Sequence, residues 1–160
     1  MTNESIQDYY TIVTSNGETK LNINNYVGTD ILGEEQTSQN IDVKVVSRDI
    51  YMDYVTYNIT VKNSTSSTIM LDSKEKTNSM YITDSSDVQY TAYAYGLTNN
   101  ELILKSGYQT TLKIKYSKSY KAANSDKSLV FSDVILNYDD YMNAANKSDY
   151  KDRGKIEINL

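Results

Sequence analysis

The sequence contains no cysteine and no histidine among its 160 residues. The first absence excludes disulfide bonds and thiolate ligands, and the second excludes the imidazole that many acid–base sites use. Together they exclude catalytic triads or dyads built on these residues and zinc sites of the usual ligand types. The Gly-x-Ser-x-Gly pattern of a nucleophile elbow is also missing. A serine–lysine dyad or two carboxylates converging in one pocket would still allow an enzyme, but the sequence predicts a protein that is not an enzyme and that needs no cofactor.

Proline and tryptophan are also absent, and a single phenylalanine stands against sixteen tyrosines. Tyrosine packs like a large apolar residue, but its hydroxyl group requires water or a hydrogen-bond partner. We therefore expect some of the tyrosines to take the place of phenylalanine in a core. The remaining tyrosines are candidates for recognition.

Acidic residues outnumber basic ones by 21 to 16, which argues against binding of a nucleic-acid backbone, since that requires a concentrated basic face. No apolar run of about 18 residues is present, so we expect no membrane-spanning segment, and no apolar signal-peptide core follows Met1. Two interpretations stay open. The chain is a cytoplasmic protein, or it is an ectodomain whose membrane anchor has been removed.

The N-terminal region carries a helical pattern over residues 2–16. Its apolar side chains recur at the spacing of one helix face: Ile6, Tyr9, Tyr10 and Val13. Residues 20–23 suggest a short strand, and residues 33–40 are polar without any period, which is typical of a linker. We therefore expect residues 1–39 to form an N-terminal helix or extended segment with a linker, and residues 40–160 to form the domain.

From Ile41 onward the hydrophobic period changes to two, which indicates β-strands with one buried face. The longest predicted strand covers residues 51–62, and residues 128–138, apolar on both faces, are the predicted central strand. The other predicted strands are 41–45, 68–71, 80–83, 88–95, 101–104, 109–116 and 155–160. A helical turn is expected within residues 139–151. This succession of short strands predicts an antiparallel β-sandwich.

Three stretches carry a family resemblance: "YVTYNITVKNSTSSTIMLD" from Tyr54, "LILKSGYQTTLKIKY" from Leu102 and "LVFSDVILNY" from Leu129. With these motifs, the chain from Ile41 to Leu160 resembles an immunoglobulin-like ectodomain family found in Gram-positive bacterial lipoproteins and membrane-anchored proteins. The resemblance implies an extracytoplasmic location, a tether in the full-length protein and a binding or scaffolding role. It implies no catalytic residues.

The tyrosines divide by their positions on the predicted strands. Tyr51, Tyr57, Tyr90 and Tyr116 fall on apolar faces and are expected in the core. The candidate binding residues are Tyr54, Tyr81, Tyr93 and Tyr95. An exposed patch of these tyrosines would suit a protein interface or stacking on a sugar. Cross-strand aromatic pairing that only stabilises the sheet is the alternative explanation.

Four carboxylates near the C-terminus are a weak candidate for a metal site: Asp139, Asp140, Asp149 and Asp152. Hard cations such as calcium prefer clustered oxygen ligands. The order of acidic positions around a glycine in an EF-hand is missing, however, and solvated surface charge explains the same residues.

The sequence predicts an all-β fold: an immunoglobulin-like antiparallel β-sandwich with a short N-terminal helix. The expected function is that of a non-enzymatic interaction or spacer module at the bacterial cell surface, with a protein partner. The alternative is a carbohydrate-binding or adhesion domain that uses exposed tyrosines on a cell-surface glycan.

Overall fold

The computed structural model describes residues 11–15, 18–22, 25–76, 78–92 and 97–160, with side chains described from residue 25 onward. The strands in these parts of the chain are β1 (Thr11–Ser15), β2 (Glu18–Asn22), β3 (Tyr26–Ser38), β4 (Ile41–Tyr51), β5 (Tyr54–Asn63), β6 (Ile69–Met70), β7 (Met80–Asp84), β8 (Gln89–Thr91), β9 (Ile103–Leu104), β10 (Gln109–Ser117), β11 (Asp126–Ile135) and β12 (Arg153–Asn159). The helices are α1 (Asn99–Leu102), α2 (Tyr138–Asn143) and two 3₁₀ turns (Tyr120–Ser125 and Lys147–Asp149).

The strands pair into antiparallel sheets. β1 and β2 form a hairpin, and four strands form a sheet in the order β10-β5-β4-β3. The other sheet has the order β8-β7-β11-β6-β9, and β12 pairs with the opposite edge of β11. Apolar residues of these two larger sheets share one core cluster, so the sheets pack face to face. The all-β sandwich predicted from the sequence is confirmed at this level.

Alternation along β5 shows how the sequence builds the four-stranded sheet. Val55, Tyr57, Ile59 and Val61 are fully buried, while the residues between them are half-buried or exposed. Successive strand residues point to opposite faces, so this period of two places one face in the core and the other toward solvent. The side chains on the outer face of this sheet therefore do not pack in the core and are available for other contacts.

β11 is the central strand of the other sheet, as the sequence predicts. It pairs with β7 from Asp126 to Phe131 and with β12 from Ser128 to Ile135, and Ile135 also pairs with Met70 of β6. Phe131, the only phenylalanine of the chain, is fully buried between Met80 and Ile156 in the strand register. A strand that is covered on both edges and both faces can bury apolar residues on either side, and β11 does so with Leu129, Val130, Phe131, Val134 and Ile135.

Two of the predicted core tyrosines lie at the centre of the sandwich. Tyr57 and Tyr116 are fully buried, and their rings meet edge to face at a centroid distance of 6.0 Å. Tyr90 packs against the core while half-buried. An isolated bridge pairs Ala92, the residue after β8 of one sheet, with Tyr116 of β10 in the other.

Tyr51 does not enter the core, which corrects one prediction. The expected continuous strand over residues 51–62 is interrupted, because β4 ends at Tyr51 and β5 begins at Tyr54. The two-residue turn between them reverses the chain and places both tyrosines on the same side of the sheet, where their rings stack. A strand period that runs across a turn assigns the residues before it to the wrong face.

Residues 33–40 are not a linker. They form the second half of β3 and a turn at Gln39 and Asn40, both with positive φ, that leads directly into β4. The predicted boundary between residues 39 and 40 therefore falls inside a β-hairpin. β3 is mostly exposed, so its sequence has no apolar alternation from which a strand could be predicted.

The N-terminal helix over residues 2–16 is not confirmed. Thr11–Ser15 form strand β1, paired with β2, and residues 1–10 and 16 lie outside the described residues. The predicted strand at 101–104 is also shorter than expected, because Asn99–Leu102 form helix α1. Thr98 and Glu101 form a capping box there, a local signal that favours the helix.

Within the described part of the chain, none of the helices is long and apolar enough to span a lipid bilayer.

Candidate functional site

The outer face of the four-stranded sheet consists of the side chains of β10, β5, β4 and β3 that point away from the core. The register sets their neighbours: Tyr26 lies beside Tyr51, and Lys44 lies between Glu35 and Thr60. Paired residues of antiparallel strands project to the same side. One continuous surface therefore runs from a tyrosine-rich end to a polar end.

The tyrosine cluster, defined as Tyr26, Tyr51 and Tyr54, occupies the first end of the outer face. The rings of Tyr51 and Tyr54 are stacked with centroids 4.3 Å apart, and Tyr26 meets Tyr51 edge to face at 5.6 Å. The Lys115 ammonium lies 3.8 Å from the Tyr54 ring centroid, within the range of a cation–π contact. Partial burial raises the pKa of the Tyr51 and Tyr54 hydroxyls, so both stay neutral.

Hydrogen bonds link the cluster to the middle of the outer face. The Tyr26 and Thr29 hydroxyl oxygens are 2.5 Å apart, and Thr29 donates to Asp49 at 2.7 Å. Asn58 donates to Asp49 and to Ser47, at 2.9 Å in each case. The chain of bonds crosses three strands, which fixes the side chains of this surface before any ligand binds.

A shallow polar groove of about 290 Å³ lies at the other end of the outer face. Its lining includes Glu35, Asp42, Lys44 and Lys62. Lys44 donates to Glu35 at 2.6 Å, and Asp42 accepts a hydrogen bond of 2.7 Å from Thr37. The Thr37 bond, together with one from a second hydroxyl, lowers the pKa of Asp42. The groove presents alternating charges and hydroxyls at the surface.

Exposed apolar side chains lie along β3 and the adjacent part of β4. Their exposed fractions are 42% for Tyr26, 47% for Val27, 80% for Ile31 and 36% for Val46. A bulge in β4 between Val45 and Ser47, opposite a bulge in β3, accompanies the exposure of Val46. These four side chains are called the apolar strip.

The structure separates the predicted binding tyrosines. Tyr54 lies on the outer face, as expected for a residue on the polar side of β5. Tyr81 lies on the outer surface of the opposite sheet, because its neighbours Met80 and Ile82 point into the core. Tyr93 and Tyr95 lie outside the described residues. Tyr26, which the sequence did not single out, and Tyr51, which was expected in the core, complete the cluster with Tyr54.

The four carboxylates of the weak metal candidate do not form a site in the structure. Asp139 and Asp140 lie in the first turn of α2, Asp149 lies in the following 3₁₀ turn, and Asp152 precedes β12. All four are exposed, and Asp140 accepts a hydrogen bond from Asn137. Among the described residues there is no group of three or more acidic side chains that could hold a metal ion.

A buried ion pair, which sequence analysis missed, closes one end of the sandwich. Lys118 follows β10 and Asp126 begins β11, and their side chains are only 1% and 0% exposed. The Lys118 ammonium contacts one oxygen of Asp126, and the Tyr57 hydroxyl donates to the other. Burial raises the pKa of Tyr57, and the charge of Asp126 raises it further, so the phenol keeps its proton.

A second buried carboxylate, Asp133, lies near the opposite end of β11 from Asp126. Arg153 donates two hydrogen bonds of 2.9 Å to it, and Ser73 donates a third. Arg153 also bonds to Glu75 at 2.5 Å, and Glu75 accepts a bond of 2.8 Å from Tyr141. These bonds tie the loop before β7 to β11, β12 and α2.

The Asp133 network predicts a loss of stability in acid. Burial alone would raise the pKa of Asp133, but the bonds from Ser73 and Arg153 outweigh it and lower that pKa. The bond from Arg153 likewise lowers the pKa of Glu75. Groups whose pKa is lower in the folded state stabilise it above the unfolded value, so this stability is lost as the pH falls through about 4.

We therefore expect the free energy of unfolding to fall between about pH 6 and about pH 3. Urea denaturation at both pH values measures this decrease. In the Arg153→Met variant, the difference in the free energy of unfolding between the two pH values should be clearly smaller. Lys155→Met, which removes an exposed partner of Glu157, is the matched control and should change it less. An unchanged pH dependence in Arg153→Met would contradict the role of the network.

No protein-family model matches the chain, and no curated protein matches its sequence. Solved structures do resemble it. The yjhA protein of Bacillus subtilis matches with a TM-score of 0.55 and 14% identity, over 81% of this chain and 98% of that one. A conserved hypothetical protein of Bacillus anthracis matches with a TM-score of 0.48 and 13% identity, over 79% and 95%. A functionally unknown protein of Listeria monocytogenes matches with a TM-score of 0.45 and 7% identity, over 79% and 80%. The likeness to the Bacillus subtilis protein supports the β-sandwich fold.

Proposed function

We propose that this chain is a non-enzymatic, immunoglobulin-like interaction module that lies outside the cytoplasmic membrane, tethered in its full-length form, and binds a protein partner through the outer face. The observation that carries the proposal is the apolar strip. Scattered apolar residues are normal on protein surfaces, but here four exposed ones occur on two neighbouring strands, and Ile31 is 80% exposed.

The strip has the composition expected at the centre of a protein interface. Such interfaces combine an apolar core, rich in tyrosine, with a polar rim. Ile31 and Val46 supply apolar area on the two strands that also carry Tyr26 and Tyr51, and charged or hydroxyl side chains surround them on β3 and β4. The hydrogen bonds from Thr29 to Asp49 and from Asn58 to Asp49 order this surface in advance, which lowers the entropy lost on binding.

Docking onto the face is favoured over pairing along the edge of β3. That strand lies at the edge of its sheet in the described part of the chain, and an exposed edge can accept a further strand. Two bulges interrupt its register, and Glu34 and Glu35 lie in its second half. Bulges and charges are the devices that prevent edge-to-edge pairing. The partner therefore contacts side chains rather than the β3 backbone.

The acidic groups of the groove support a non-enzymatic function. Glu35 is paired with Lys44, and Asp42 is held by Thr37. Lowering the pKa of Asp42 keeps it ionised, which suits a hydrogen-bond acceptor more than a general acid at neutral pH. The buried carboxylates Asp126 and Asp133 are each occupied by a cation inside the sandwich.

Carbohydrate binding is the second candidate, and the stacked pair Tyr51–Tyr54 favours it. The stacked pair and Tyr26 bring three tyrosine rings together, and the Tyr26 hydroxyl is linked through Thr29 to the Asp49 carboxylate. The polar groove at the other end of the same face could hold the hydroxyl groups of a glycan. This alternative predicts that Tyr54, rather than Ile31, carries the affinity.

Co-purification with matched variants separates the two candidates. The tagged chain is expressed in the organism that produces it and isolated from cell-surface extracts. Ile31→Asp should reduce recovery of the partner at least tenfold, since it places a charge in an apolar contact. Asn159→Asp, at an exposed position on the edge strand β12 of the other sheet, should leave recovery unchanged.

Other outcomes would decide against a protein partner. If Tyr54→Ser abolishes binding, Ile31→Asp does not, and free sugars compete, the outer face is a carbohydrate site. If both Ile31→Asp and Asn159→Asp retain full recovery, the apolar strip is not the interface. Digestion of the native protein by protease added to intact cells tests the extracytoplasmic location.

A further inference from the structure

The buried ion pair places a primary amine against a carboxyl group with almost no access for water. Lys118 and Asp126 are 1% and 0% exposed at their side chains, and the nitrogen of Lys118 contacts one oxygen of Asp126. The ring of Tyr90 covers the amine at 4.4 Å, and the Ser125 hydroxyl lies 3.3 Å from it. Lys118 directly follows β10 and Asp126 begins β11, so strands of both sheets position the two groups.

Burial changes the chemistry that is open to this pair. In water an amine and a carboxylic acid stay apart as hydrated ions, and their condensation is opposed by the solvent. Here the Lys118 nitrogen and an Asp126 oxygen are in direct contact inside the protein, so a proton can pass between them without a water molecule. The same site holds the nitrogen beside the acyl carbon, which replaces a bimolecular encounter with a fixed geometry.

We propose that Lys118 and Asp126 condense to form an intramolecular isopeptide bond. After proton transfer, the neutral Nζ of Lys118 attacks Cγ of Asp126 and forms a C–N bond. The bond from Cγ to one carboxyl oxygen breaks, the nitrogen gives up one proton, and that oxygen leaves as water. The products are one amide and one water molecule, with no change in oxidation state.

Tyr57 is the group that assists this step. Its hydroxyl donates a hydrogen bond to the second oxygen of Asp126, where negative charge builds up while the carbon is tetrahedral. Burial and the charge of Asp126 raise the pKa of Tyr57, so the donor keeps its proton. The ring of Tyr116, whose buried hydroxyl has no hydrogen-bond partner among the described residues, meets the Tyr57 ring edge to face.

The bond would covalently connect the end of β10 to the start of β11 and would not alter the outer face. It closes a ring around the 3₁₀ turn Tyr120–Ser125, in which the carbonyl oxygen of Ala123 accepts a bond of 2.8 Å from Arg48 of β4. The turn bridges the two sheets at one end of the sandwich. The inference therefore stands independently of the proposed binding function.

The mass of the purified 160-residue chain tests the proposal directly. Condensation predicts a mass about 18 Da, one water, below the value calculated from the sequence. Tandem mass spectrometry of a tryptic digest should place the loss in a branched peptide that joins Lys118 to Asp126. This location separates an isopeptide from a succinimide, which gives the same loss within one peptide.

Variants provide the controls. Lys118→Met and Asp126→Ala should each restore the full mass. Lys127→Met, which removes the cation of the exposed pair between Lys127 and Asp87, should keep the loss. Asp126→Asn should lose about 17 Da instead, because ammonia replaces water as the leaving group. A wild-type chain at its full calculated mass, or a loss located elsewhere, overturns the proposal whether or not any variant folds.

Discussion

Replacing Phe131 with alanine is expected to lower the free energy of unfolding by about 3–5 kcal/mol. Phe131 is fully buried in the central strand β11, between its register neighbours Met80 and Ile156. Removing the ring loses its transfer free energy and leaves a cavity, because a strand paired on both edges cannot collapse into the space. Urea denaturation followed by far-ultraviolet circular dichroism measures the change.

The control for this variant is Ile31→Ala on the outer face. Ile31 is an apolar residue of a strand but is exposed, so its truncation should change stability by no more than about 0.5 kcal/mol. A loss below about 1 kcal/mol for Phe131→Ala would contradict the placement of β11 at the centre of the core.

Replacing Lys118 with methionine is expected to cost about 3–5 kcal/mol of stability. Whether the native partner of Asp126 is the ammonium or the amide of Lys118, the variant leaves the Asp126 carboxylate buried with only the Tyr57 hydrogen bond, and an uncompensated buried charge is strongly destabilising. Lys155→Met is the matched control, because it breaks an ion pair with Glu157 in which both side chains are exposed. That change should cost no more than about 1 kcal/mol.

The double variant Lys118→Met with Asp126→Leu sharpens this test. Removing both charges removes the unpaired carboxylate, so the double variant should be more stable than Lys118→Met alone. Equal losses for Lys118→Met and Lys155→Met would show that the buried pair is not closed to water as the structure describes.

The sequence predicts the fold well where the burial of a residue can be inferred from the residues next to it in the chain. Val55, Tyr57, Ile59 and Val61 alternate with polar residues, and this period identifies β5 and its buried side directly. β11 is apolar on both faces, which identifies a central strand. In both cases burial on a regular strand leaves a local pattern.

The errors arise where no such pattern exists or where it crosses a turn. β3 is an exposed edge strand, so its burial is nearly uniform and residues 33–40 are indistinguishable from a linker. The turn after Tyr51 carries neither glycine nor proline, and a single period of two continues through it by chance. The face of Tyr51 was therefore predicted wrongly, and only the pairing with Tyr26 and Tyr54 shows it.

The candidate site was predicted only in part, for the same reason. Tyr54 was identified because it lies on the polar side of a clear strand. Its grouping with Tyr81 was wrong, since the sequence cannot state which strands share a sheet. The contact between Lys118 and Asp126 depends on tertiary structure as well, because both lie at strand ends without a recognisable motif. Burial of a lysine is rare enough that sequence alone favours exposure.

Site-specific photo-crosslinking in intact cells tests the central claim most directly, namely that the outer face of the four-stranded sheet binds a protein partner. A light-activated residue replaces Ile31 in one variant and Asn159, on the opposite sheet, in another. Irradiation should yield one adduct of defined mass with another protein from position 31 and none from position 159. Absence of an adduct at position 31, or the same adducts from both positions, would contradict the account.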